Sequence, residues 1–380
     1  MGTKAGRRVL FSYAVSLLLL AVAPVWPPLV RGAEHAEFVE VGSERGWREL
    51  RVHNAGAIDL STWCGATETF LTPLRYGHVQ VVNVKARTIS SLVFGGFLGR
   101  LHCSHDGRYV FSSSSLSPSP TGGRPVPGYR LRYYDTQTGQ LHTVFEGLLE
   151  VNTFVDAPLA SPQGKYLIGP RSLGPVVTLP GGEQLTVIPP DSLRVAWPVE
   201  FLLWAQDDSW LIAANLTPRT AAELIVNALA TDSQRWKTIR QKSHVRGSSP
   251  TWLAADTHRL YYRRSDQQAG GGPLWKADLS ATKPTFQMVA KDVQSFDVSA
   301  DGTIVFSQKQ GVRYKGDDRI TTTHARDTVK IILPGGREQM LRERSLDTFG
   351  SVSITSNGRA LLLGPDAAGG PFTVLTRDRE

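Results

Sequence analysis

The sequence predicts an all-β fold, a β-propeller of seven four-stranded blades whose ring is closed by an N-terminal strand. Three observations carry that expectation. A short phrase recurs along the chain, reading Ser104-His-Asp-Gly-Arg-Tyr-Val-Phe111, Ser161-Pro-Gln-Gly-Lys-Tyr-Leu-Ile168, Ser299-Ala-Asp-Gly-Thr-Ile-Val-Phe306 and Thr355-Ser-Asn-Gly-Arg-Ala-Leu-Leu362. Each copy joins a tight turn to an alternating apolar strand. Further strand pairs with their own turn residues follow at matching offsets.

The turns come first. Asp-Gly, Gln-Gly and Asn-Gly supply the positive φ that a tight hairpin requires. Two degraded copies, Ala205 to Ile212 and Ala254 to Tyr261, place the turn at Asp208 and Thr257. Successive turn positions at Gly107, Gly164, Asp208, Thr257, Gly302 and Gly358 are then 57, 44, 49, 45 and 56 residues apart. A weaker copy, Gly65 to Thr72, adds a seventh if Glu68 takes the turn place.

The flanking strands come next. Phe296–Val298 and Ser351–Ile354 precede their turns. Tyr129–Thr136 and Leu141–Phe145 flank Gln137-Thr-Gly139, and Val79–Val84 and Ile89–Phe94 align with them. Leu179-Pro-Gly-Gly182 and Leu333-Pro-Gly-Gly336 read as outer hairpins. The repeat register makes strands of 223–229 and 235–239, although Thr217 and Pro218 also resemble a helix start. Six or eight units stay open as alternatives to seven. The last unit has three evident strands, so Glu37–Val41 or Trp47–Val52 is expected to supply its outer strand and remove the open edge.

The chain start reads as an export signal over residues 1–33, which leaves 34–380 as a single propeller domain. Lys4, Arg7 and Arg8 precede an apolar run from Val9 to about Ala23, and small residues follow at Gly32 and Ala33. The protein is expected in the periplasm or outside the cell. Contact with a membrane is expected only if this segment stays uncleaved, since 9–30 is long enough to span a bilayer. Arg7-Arg8 also leaves the twin-arginine route open beside the general one. Setting aside Lys4, Arg7, Arg8 and Arg31 lowers the basic count from 42 to 38 against 34 acidic residues. That balance gives no basis for nucleic-acid binding.

Few residues stand out for chemistry. Cys64 and Cys103 occupy matching places in consecutive units, so they are the disulfide candidates, and export favours a bond. Two buried thiols are the alternative. His102 and His105 sit three apart on a strand and diverge, so His102-Cys-Ser-His-Asp106 makes a poor metal site and no metal is expected. Trp197, Trp204, Trp210, Trp236, Trp252 and Trp275 read as packing between blades. The Ser/Pro/Gly-rich segment 112–128 reads as a loop insertion. The nucleophile elbow, zinc-protease, Cys-x-x-Cys, Walker and dinucleotide motifs are all missing, so no cofactor is expected.

The phrase at Ser104–Phe111, Ser161–Ile168 and Ser299–Phe306 resembles that of TolB-like and WD-repeat-like propellers. The resemblance implies an exported scaffold that binds a protein partner or a small ligand on one face of the ring. Val81–Gln140, with Gly95-Gly-Phe-Leu98, His105-Asp-Gly107 and Tyr134-Asp-Thr-Gln-Thr-Gly139, is similar to the start of quinoprotein amine dehydrogenase large subunits. That second resemblance implies the subunit of an oxidoreductase. From these features the sequence is expected to encode a non-catalytic binding propeller, with the oxidoreductase subunit as the alternative.

Overall fold

The computed structural model describes residues 38–44, 46–53, 62–74, 77–95, 101–104, 106–116, 128–148, 160–189, 201–216, 223–242, 250–264, 271–310, 326–345, 351–364 and 370–377. Two compact units divide the chain. Met1–His35, which holds all of the expected signal, lies outside the described residues, and so do His105, Trp197 and 117–127. All the described residues belong to the unit Ala36–Glu380.

The described structure is all-β. Its strands are β1 (Phe38–Glu44), β2 (Trp47–Val52), β3 (Thr62–Trp63), β4 (Thr69–Pro73), β5 (His78–Asn83), β6 (Thr88–Val93), β7 (Leu101–Cys103), β8 (Tyr109–Leu116), β9 (Gly128–Asp135) and β10 (Gln140–Leu148). There follow β11 (Tyr166–Ile168), β12 (Val176–Thr178), β13 (Gln184–Ile188), β14 (Phe201–Trp204), β15 (Trp210–Leu216), β16 (Glu223–Ala230), β17 (Arg235–Lys242), β18 (Pro250–Ala255), β19 (Arg259–Arg264) and β20 (Gly272–Asp278). The chain continues with β21 (Phe286–Val298), β22 (Ile304–Gln310), β23 (Arg326–Ile332), β24 (Glu338–Ser345), β25 (Val352–Ile354), β26 (Ala360–Leu363) and β27 (Phe372–Thr376). The segment 223–230, where the sequence also resembled a helix, is a strand.

Three sheets are four-stranded antiparallel meanders in chain order, β3–β6, β7–β10 and β14–β17. Such repetition is the arrangement of a β-propeller. β18–β24 form one seven-stranded sheet, because the 13 residues of β21 run unbroken from the edge of one repeat into the start of the next. The β11 sheet departs from the expected meander. It has three strands in the order β11-β13-β12, with β11 parallel to β13. Among the described residues, only the isolated bridge of Ala160 to Leu167 stands where its first strand was expected.

At the other end of the chain, β2 pairs antiparallel with β27, from Arg48 opposite Thr376 to Val52 opposite Phe372. Trp47–Val52 is therefore the strand beside the last repeat. β1 adds a fifth strand beyond it.

The apolar residues pack between neighbouring sheets, so the core is a series of layers. Cys64, Leu71, Val79, Phe94, Leu101 and Val110 join the β3 and β7 sheets. Leu50, Val52, Leu362, Phe372 and Val374 pack with Trp63, Phe70 and Val82, so the last sheet meets the first. Phe70 and Phe372 lie 5.9 Å apart between ring centroids. Trp204 is buried in one layer, and Trp236, Trp210 and Trp275 line the edges of two, as expected of packing aromatics.

The recurring phrase is a hydrogen-bonded turn. The Ser104 hydroxyl donates to Asp106 Oδ1 at 2.5 Å and accepts from the Tyr109 N–H, while Asp106 also accepts from the Arg108 N–H. Ser299 with Asp301 and Thr355 with Asn357 repeat the pattern. The first copy is shifted by one residue from the sequence expectation. Cys64 N–H bonds Thr69 O as Ser104 N–H bonds Tyr109 O, so Cys64 matches Ser104 and Thr67, not Glu68, matches Gly107.

Candidate active site on the inner strands

The first strand of each repeat touches the first strand of the next: β14 and β18, β18 and the end of β21, β21 and β25, β25 and β3, and β3 and β7. The residue two places before the turn serine is equivalent in each. It faces a residue near the start of the following strand, as Asp297 faces Val305, Ser353 faces Leu362, Thr62 faces Leu71, and His102 faces Phe111. All four are half-buried. At the same position β14 has Leu203 and β18 has Ala254. The row therefore has a polar arc on four consecutive inner strands and apolar residues on β14 and β18.

The arc begins with a cross-strand pair. Asp297 Oδ2 accepts from the Ser353 hydroxyl at 3.1 Å and from the Ile354 N–H at 3.0 Å. Its Oδ1 accepts from the Val298 N–H at 2.9 Å. His102 stacks on Phe111 with centroids 5.2 Å apart. A carboxylate, two hydroxyls and an imidazole are the groups that transfer and orient protons. Sequence reasoning singled out His102 alone and passed over Asp297, Ser353 and Thr62. The signal was present, since each stands two residues before the Ser, Thr or Cys that opens its phrase.

A second polar cluster ties β8 to the β13 sheet. Arg108 Nη1 pairs with Glu183 at 3.0 Å and Nη2 with Asp135 at 3.3 Å, and the Tyr109 hydroxyl donates to Glu183 at 2.7 Å. Burial pushes the Asp135 carboxyl up. The bonds from Arg108 and the backbone of Gln137 and Thr138 outweigh that and hold it below its ordinary value. Burial and the Glu183 carboxylate raise the Tyr109 hydroxyl. Every charge here is answered by a neighbour, so the cluster acts as a clamp between sheets.

Cys64 and Cys103 come together as a disulfide with Cα atoms 4.7 Å apart. They do not hold equivalent places, because Cys103 matches Trp63. Among the described residues no group of three His, Cys, Asp or Glu could hold a metal, and no helix is long and apolar enough to cross a membrane.

No family model matches the sequence, and no curated protein matches it. Solved structures do resemble it in fold. A tricorn protease matches with a TM-score of 0.49 at 10% identity over 86% of this chain, which spans only 36% of that one. An oligogalacturonate lyase in complex with manganese gives 0.42 at 10% identity, covering 88% of this chain and 83% of that one. A gluconolactonase from Xanthomonas campestris gives 0.43 at 11%, covering 91% and 95%. These are propeller enzymes, and the finding corrects the expectation of a non-catalytic scaffold. Missing local motifs misled the sequence reading because a propeller builds its site from residues on separate blades. The amine dehydrogenase alternative gains no support from these likenesses.

Proposed function

We propose that the chain is an exported β-propeller enzyme of seven blades that acts on a small polar molecule by proton transfer at its inner strands. One observation carries the reading: Asp297 is bonded to Ser353 across two inner strands, in a row that continues through Thr62 to His102. Seven blades follow if β21 closes one blade and opens the next. The β2–β27 pairing and the Leu50–Phe70 layer support a closed ring. The Cys64–Cys103 bond supports an oxidising compartment, and so an export signal over residues 1–33.

Turnover of lactones, esters and sugar acids, followed by proton release and ultraviolet absorbance, tests the activity. Asp297→Asn and His102→Gln are each expected to lower kcat/KM by about 100-fold, the ordinary scale of a lost proton-transfer group. An active wild type undiminished by both substitutions would sink the reading, as would no turnover across the panel. Cell fractionation with N-terminal sequencing tests export, and recovery of residues 1–33 in the cytosol counts against it.

A further inference from the structure

We propose a second, separate site, a buried anion-binding subsite between the β3 and β7 sheets. Arg132 and Ser112 form it, and it takes a carboxylate or phosphate oxygen.

Arg132 lies on β9 directly opposite Ser112 on β8, so the two side chains share one face of their sheet. Leu101, opposite Ser112 on the inner strand, packs on that same side against the β3 sheet. Arg132 is 7% exposed and Ser112 1%. The guanidinium donates Nη1 to the Phe94 carbonyl and Nη2 to the Gly95 carbonyl at 2.8 Å, and it stands 5.9 Å from the Phe94 ring. These contacts fix its plane and engage one N–H on each outer nitrogen. They leave Nε–H, which is buried without a hydrogen-bond partner, and the Ser112 hydroxyl is buried without one as well.

Two features call for an anion there. First, the charge is unanswered: among the described residues no carboxylate forms an ion pair with Arg132, and Glu146, the acid nearest in influence, is held by Arg130. A buried charge without a counter-charge is strongly unfavourable. Secondly, Nε–H and the serine O–H are both donors. The group that satisfies both is an acceptor with at least two lone pairs, and negative charge on it answers the guanidinium too. The two carbonyls held by Arg132 belong to the last described residues after β6, and Ser112 and Arg132 face each other midway along the β8–β9 ladder.

The test is thermal unfolding of the full chain in acetate, in inorganic phosphate and in acetamide, at constant ionic strength. Acetate or phosphate is expected to raise the wild-type Tm by about 2 °C at saturation. Whichever of the two acts at the lower concentration distinguishes a carboxylate site from a phosphate site. Acetamide, the uncharged analogue, is expected to have no effect. Ser112→Ala, a small change that keeps the fold, is expected to weaken the anion effect at least tenfold in concentration, and Arg132→Met to abolish it. Asp297→Asn is expected to leave it intact, which separates this site from the inner-strand arc. An equal rise in acetamide, no rise in any anion, as when water bridges the two donors, or an unchanged rise in Ser112→Ala would each overturn the proposal.

Discussion

The side-chain amide of Asn357 donates to the carbonyl of Ala66 at 2.8 Å, across 291 residues of sequence. Beside it the Ser356 N–H donates to Gly65 O. The turn of the last phrase is thus bonded to the turn of the first. Similar bonds run on between turns: Ala300 N–H to Ser356 O, the Thr257 hydroxyl to Ala300 O, the Ser209 hydroxyl to Thr257 O, and the Gln163 amide to Gln206 O. The Cys64–Cys103 bond stands in the same belt, between the first and second turns.

That disulfide closes a loop with a sequence separation of 39 residues. Cys64→Ser with Cys103→Ser is expected to lose roughly 3 to 4 kcal/mol in the chain-entropy account. Urea unfolding with and without reductant measures it. Peptide mapping without reductant should recover Cys64 linked to Cys103, and free thiols at both positions would refute the bond.

The strand between β1 and β27 is expected to hold the last sheet to the first. Leu50 is 5% exposed, lies opposite Val374 and packs in the layer shared with Phe70. Leu50→Ala should cost about 2 to 5 kcal/mol, the usual range for a buried leucine. A loss below about 0.5 kcal/mol in urea unfolding would show that β2 contributes little.

Asp208 gives a pH signature. It occupies a turn at φ 64 and is 1% exposed. It accepts from the Ser161 hydroxyl at 2.5 Å and from the Gln163 N–H at 2.8 Å. Burial pushes its carboxyl up to about 6 against the pull of these bonds. A carboxyl with the higher pKa in the folded state binds more protons there, so stability falls as pH rises from about 4 to about 6. The full change corresponds to about 3 kcal/mol. Asp208→Asn, uncharged throughout and tolerant of the turn conformation, should flatten this slope. Urea midpoints at pH 4, 5, 6 and 7 read it, and an unaltered slope would exclude Asp208 as its source.

Gly181 lies against the clamp. A Cβ there would collide with Arg108 Nη1, Glu183 Oε2 and the Tyr109 hydroxyl. Gly181→Ala is expected to cost about 1 to 3 kcal/mol by overpacking. A smaller cost of Gly181→Ala in a background already carrying Glu183→Ala, read from a double-mutant cycle, would confirm that part of the cost arises in this contact, and a neutral Gly181→Ala would disprove it.

The recurring turns were legible because their chemistry is local. A serine, an aspartate two residues on and a glycine satisfy one another within a single hairpin. Ser161 shows where that reading stops. Gln163 takes the aspartate's place in its own phrase, and the missing acceptor comes from Asp208 of the next repeat. The one-residue shift at Cys64 had the same origin, because glutamate and threonine replace the glycine that marks the register elsewhere. The parallel pairing of β11 with β13 left no local sign, since three short apolar strands can pair in several orders. The inner-strand arc was spelled out residue by residue, but its members become neighbours only through contacts between strands far apart in sequence, 56 positions from Asp297 to Ser353, 291 from Ser353 to Thr62 and 40 from Thr62 to His102, and no local motif spans such distances.

The pairing of β2 with β27 also sets an order of events. A ribosome makes Trp47–Val52 more than three hundred residues before Phe372–Thr376 exist, yet each is the other's neighbour. Throughout synthesis the early strand must wait with its apolar side chains unburied, and the first sheet must wait with it. Contacts this distant in sequence form slowly. The pairing of β2 with β27 is therefore expected among the late steps of folding, and until it forms the apolar side chains of both strands are open to aggregation and to proteases.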